Sequence, residues 1–70
     1  MKVELTRDLA NRFWAVRAHC RVYGEVSYIL PDAGVDVYVE KGLLRLKKTQ
    51  GSKEFYELTE LGNTADVAGV

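Results

Sequence analysis

Apolar positions between residues 5 and 20 recur at helical spacing. Leu5, Leu9, Phe13, Val16 and Cys20 follow one another at intervals of four, four, three and four residues. That spacing places them on one stripe and predicts an amphipathic helix over residues 6–22. Thr6 offers an N-cap hydroxyl, and Asp8 stands in the first turn, where the helix dipole favours a carboxylate. Asp8 and Arg12 lie one turn apart and can pair. Gly24 ends the element.

The next two segments each admit two readings. EVSYILP, residues 25–31, fits a short helix stopped by Pro31. It also fits a strand in which Val26, Tyr28 and Leu30 alternate with Glu25, Ser27 and Ile29. DAGVDVYVEKG, residues 32–42, reads as a helix capped by Asp32, with Val35, Tyr38 and Val39 facing the core. Gly42 would then take the left-handed position of a Schellman stop, with Leu43 touching Tyr38. As a strand, Val35, Val37 and Val39 alternate with Asp36, Tyr38 and Glu40 after a PDAG turn. The glycine stop and the segment after it favour the helix.

Residues 43–48, LLRLKK, and 54–58, EFYEL, form a predicted hairpin across TQGSK, with Gly51 supplying a positive φ. Leu44 and Leu46 point to one face, Arg45 and Lys47 to the other. Phe55 and Tyr56 fall on opposite faces, so one aromatic stays near solvent. The small, polar residues 63–70, NTADVAGV, are expected to fray, which confines the domain to residues 1–62.

Seventy residues make a single domain, and a chain of this size buries only about 60% of its unfolded surface. The amino terminus lacks a signal-peptide h-region, and no apolar run is long enough to span a bilayer. A lone cysteine, Cys20, forms no internal disulfide, so a cytoplasmic protein is expected. Net charge is zero, which argues against a strong nonspecific polyanion binder. The charges are nevertheless segregated. Residues 1–21 hold five basic and two acidic side chains, and residues 43–53 hold four basic and none acidic. The intervening and final stretches carry Glu25, Asp32, Asp36 and Glu40, then Glu54, Glu57, Glu60 and Asp66.

VEKGLLRL followed closely by FYELTELG resembles the second half of a winged helix-turn-helix domain, over roughly residues 38–62. In that family a Lys-Gly-Leu stop ends the recognition helix, a hairpin wing follows, and a Tyr-x-Leu-Thr-x-x-Gly phrase closes it. The resemblance implies an α+β fold with an N-terminal amphipathic helix, two short helices and a C-terminal β-hairpin wing. The residues alone also allow a rival, one helix packed on a four-stranded antiparallel meander.

The family implies a small DNA-binding protein, a transcriptional regulator acting as a homodimer on duplex DNA. Arg45, Lys47, Lys48 and Lys53 of the wing would hold phosphates, and Ser27, Tyr38 and Lys41 would lie nearest the groove. On the first helix Arg7, Arg17 and Arg21 flank the apolar stripe beside Trp14 and could add phosphate contacts. Alternatively, Trp14 tucks against the wing or the tail and the arginines are solvated. The reading helix itself offers Asp36, Tyr38, Glu40 and Lys41, whereas base edges are usually met by Arg, Lys, Asn, Gln, Ser or Thr. That favours the alternative of a protein–protein interaction module, a complex subunit or phage-type inhibitor of a host machine, meeting a basic partner through an acidic third helix.

Other chemistry finds little support. Neighbouring His19 and Cys20 point about 100° apart on a helix, and the chain has no second Cys or His to complete a zinc site. The carboxylates Asp32 and Asp36, or Glu54, Glu57 and Glu60, have no evident pocket, and no Gly-rich phosphate loop occurs. No enzyme activity, metal or cofactor is expected.

Overall fold

The computed structural model describes residues 2–29 and 32–70, which form an α+β arrangement of five strands and three helices. In chain order these are β1 (Lys2–Leu5), α1 (Arg7–Tyr23), β2 (Val26–Ile29), α2 (Ala33–Glu40), β3 (Leu44–Gln50), β4 (Lys53–Leu58), α3 (Glu60–Thr64) and β5 (Asp66–Gly69). One sheet is antiparallel with strand order β2-β4-β3, and β1 pairs with β5 in parallel.

Helix α1 begins and ends where its caps require. Thr6 Oγ1 accepts from the Leu9 amide at 3.3 Å, and Arg12 bonds Asp8 at 2.6 Å. Gly24 closes it with φ of 82°. Leu5, assigned by its spacing to the helical stripe, belongs instead to β1. Lys2, Val3, Glu4 and Leu5 alternate exposed and buried, a period of two that overlaps the start of the helical period.

Residues 26–29 resolve as a strand, with Tyr28 and Tyr56 in edge contact at 5.8 Å between rings. Leu30 and Pro31 lie outside the described residues, and with them the proposed helix stop and the end of the alternation. The expected pair of short helices before the hairpin is therefore corrected to one strand and one helix. Antiparallel pairing with β4 fixes residues 26–29 as an edge strand, and the few residues that remain suffice for α2 alone.

The segment after Asp32 is helical, which overturns the four-stranded meander. Asp32 Oδ1 accepts from Gly34 and Val35 amides at 2.8 and 3.2 Å. At the other end Gly42, with φ of 79°, donates to Val39 O, and Leu43 donates to Tyr38 O, the two bonds of a Schellman stop. Valine's strand preference loses here to burial. Val35 and Tyr38 are almost fully enclosed, and Tyr38 packs on Phe13 with its hydroxyl donating to Leu9 O at 2.7 Å.

Phrases that are distant in sequence meet at this stop. The Thr59 amide donates to Leu43 O at 3.2 Å, its hydroxyl donates to Gly42 O, and Gly62 donates to Thr59 Oγ1 at 2.9 Å. Lys-Gly-Leu and Leu-Thr-x-x-Gly are thus two halves of one backbone lock.

Residues 63–70 correct the expectation of a frayed tail. β5 runs beside β1 in register from Lys2↔Asp66 to Leu5↔Gly69, and Ala65 and Val67 enter the core. Trp14 Nε1 donates to Val67 O at 3.1 Å, so the indole is tied to the tail, although the side chain stays 46% exposed and is only half tucked. Small residues permit this approach, since a Cβ on Gly69 would stand 2.8 Å from Arg7 Cα.

The largest fully buried side chains are Tyr38, Phe13, Leu43, Leu44 and Val35. Each of the apolar ones contributes about 1.5–3 kcal/mol by leaving water. Among the described residues no helix is long and apolar enough to cross a membrane.

Candidate functional site

Pairing in the β2-β4-β3 sheet sorts the hairpin side chains onto two faces. Tyr56 and Leu58 of β4 share the inner face with Val26, Tyr28 and Leu44. The outer face carries three cross-strand rows. Arg45 stands opposite Glu57. Lys48 aligns with Phe55 and Ser27, and Gln50 aligns with Lys53 and Ile29. Register shifts between Leu46 and Lys48, so Lys47 occupies a bulge. Its Nζ reaches Glu25 at 2.9 Å on the rim of the same face.

Of the residues singled out in the sequence, Arg45, Lys48, Lys53 and Ser27 come together here, with Lys47 at the rim. Their charges are unequally free. Arg45 Nε lies 2.6 Å from Glu57, and Lys47 is paired with Glu25. Ion pairs this exposed are held weakly, because water and salt screen them. Lys48 sits 4.8 Å over the Phe55 ring. Neither Lys48 nor Lys53 has a carboxylate partner among the described residues.

The remaining candidates lie elsewhere. Arg17 donates to Ala65 O at 2.8 Å, and Arg21 donates to Asn63 O and Oδ1 at 2.6 and 2.9 Å. Both guanidinium groups fasten β5 and its approach to α1. Lys41 caps α2 and is exposed. Tyr38 is 2% exposed, which corrects its placement near a groove, because its ring and hydroxyl are both used in the core. The exposed positions of α2 are Ala33, Asp36, Val39 and Glu40, an acidic and apolar surface.

Ionisation follows this geometry. The hydrogen bond from Lys47 holds Glu25 below the usual carboxylate range and raises Lys47 in return. Burial pushes Tyr28 and Tyr38 above the ordinary phenol value, and burial with Glu54 and Asp36 nearby does the same for Tyr56. Cys20 is buried, and desolvation raises its thiol, which makes thiolate scarce at neutral pH.

Two shallow concavities border the outer face. One, of about 410 Å³, lies among Arg21, Arg45, Glu57, Thr59 and Asn63. The other, of about 380 Å³, is lined by His19, Tyr23, Glu25, Ser27 and Phe55. His19 and Tyr23 stack at 4.6 Å between ring centres. Tyr23 and Phe55 were not singled out as site residues from sequence, although the opposite facing of Phe55 and Tyr56 was the available signal. Tyr23 joins them only because Gly24 turns the chain from α1 directly into β2.

Among the described residues no three His, Cys, Asp or Glu side chains gather to hold a metal ion. No protein-family model matches the chain, and neither a curated protein nor a solved structure matches it.

Proposed function

We propose that the chain is a winged-helix-type nucleic-acid-binding module that holds phosphates on the outer face of its hairpin. The observation that carries this reading is the convergence of Arg45, Lys48, Lys53 and Ser27 around Phe55 on one sheet face. The glycine-stopped helix before the hairpin, and the Thr59–Gly62 phrase that closes it, support the winged-helix comparison. A single helix between β2 and the hairpin departs from it.

The same reading narrows the regulator suggested by the sequence. Asp36 and Glu40 on α2 would each oppose a phosphate backbone by about 1 kcal/mol at moderate screening. With Tyr38 buried, α2 offers no base-reading side chain except Lys41 at its end. Binding is therefore sequence-blind and dominated by phosphate contacts at Lys48 and Lys53, with Arg45 exchanging Glu57 for phosphate while Lys47 stays paired with Glu25.

Reversing both free lysines, Lys48→Glu with Lys53→Glu, is expected to weaken oligonucleotide binding by about tenfold or more at low salt. The folded circular-dichroism spectrum should persist, because both positions are exposed. Fluorescence anisotropy of a labelled oligonucleotide measures this. Affinity within twofold of the parent would remove the hairpin face from the site.

A second reading, a protein-docking module for a basic partner, is favoured by one surface. Val39 is 42% and Leu46 51% exposed, and α2 adds Asp36 and Glu40. A partner held there would be lost on Asp36→Lys with Glu40→Lys and kept on reversal of the lysines.

A further inference from the structure

We infer that the outer face selects single-stranded over duplex nucleic acid, with an unpaired base stacked in the cleft between Tyr23 and Phe55. This rests on the nucleic-acid reading above and names its ligand.

The cleft combines what such a ligand needs. Tyr23 is 70% exposed, and the His19 ring lies 4.6 Å away at a tilt of 41°. Phe55 forms another part of the wall, and Ser27 contributes a hydroxyl to the same lining. Base stacking on aromatic rings is tolerant of sequence, because every base has a π-face.

Charge complements a strand entering this cleft. Lys48 holds its ammonium 4.8 Å over the Phe55 ring. Lys53 is the diagonal neighbour of Lys48 across the hairpin, about 7–8 Å away between α-carbons, so one strand can meet both through successive phosphates. Glu25 also lines the cleft, and its charge is answered by Lys47 at 2.9 Å. In a duplex the bases are already stacked and paired, so only the phosphates could reach this face. The stacking contribution then disappears.

The test compares a fluorescein-labelled single strand of roughly 15 nucleotides with the duplex of the same sequence, at about 50 mM salt. The single strand is expected to bind more tightly by about fivefold or more. Tyr23→Ala and Phe55→Leu should each erase that preference, and Tyr23→Ala should leave duplex binding within about twofold. Circular dichroism confirms that both variants are folded. Equal binding of the two forms, or a preference that survives both substitutions, overturns the inference and leaves phosphate binding by the hairpin standing. Binding of neither form overturns the nucleic-acid reading itself.

Discussion

Gly62→Ala is expected to cost about 3 kcal/mol or more and to lower the melting temperature by roughly 15 °C or more. A Cβ at this position would overlap the carbonyl oxygen of Leu43 and lie 2.8 Å from its carbon and 3.1 Å from its Cα. All three atoms are backbone, so no side chain can rotate away. Relief requires α3 to lift from Leu43, which breaks the Thr59 amide bond to the same carbonyl and strains β5 directly behind it. A domain of this length has only about 4–10 kcal/mol in total, so this single methyl group removes roughly a third to three-quarters of it. Gly51→Ala is the control. Its φ of 64° disfavours a side chain by about 1 kcal/mol, but nothing lies within contact of a Cβ there. Thermal denaturation followed by circular dichroism separates the two. Equal melting temperatures for both variants would mean that the lock between the two sequence phrases contributes nothing.

Tyr38 supplies the second large effect. Tyr38→Ala should cost about 3–5 kcal/mol, because it removes a fully enclosed ring from Phe13 and leaves a space between α1 and α2 that their backbones cannot close. Tyr38→Phe keeps the ring and loses only the hydroxyl bond to Leu9 O, for about 1 kcal/mol. Chemical denaturation gives both values. Oligonucleotide affinity of the folded Phe variant should stay within about twofold of the parent, since the hydroxyl is occupied in the core. Unchanged stability with weakened binding would return Tyr38 to a groove-facing role.

The sequence was most informative where one residue type has one local use. Thr6, Asp32, Gly24, Gly42 and Gly51 marked their caps and turns, because side-chain oxygens and positive φ values leave few alternatives. It was less informative where two periods overlap. Leu5 satisfies both the helical stripe of α1 and the alternation of β1, and only the partner strand decides between them. β5 was missed for a related reason. Ala68 and Gly69 look too small to hold a strand, yet smallness is what lets that strand approach α1 closely enough for Trp14 to bond its backbone.

The candidate site shows the same division. Alternation along β3 set Arg45 on the face opposite Leu44, and alternation along β4 set Phe55 and Tyr56 on opposite faces. Only the pairing of β4 with β2 and β3 shows that Phe55 is the outward one. Which cations are already answered depends on long-range pairing, Lys47 with Glu25 above all, and a bulge that shifts the register by one residue. Arg17 and Arg21 looked like free cations on a helix flank. Their donors are turned to carbonyl groups of residues more than forty positions away.

The central claim is that the hairpin's outer face binds nucleic acid through a small number of phosphates. Its most direct test is the affinity for a labelled single strand measured across salt from about 50 to 200 mM. With roughly two to four phosphates engaged, the logarithm of affinity should fall against the logarithm of salt with a slope of about −1.4 to −2.8, flattening when Lys48 and Lys53 are reversed. An affinity indifferent to salt, or no association at the lowest salt, would contradict the account.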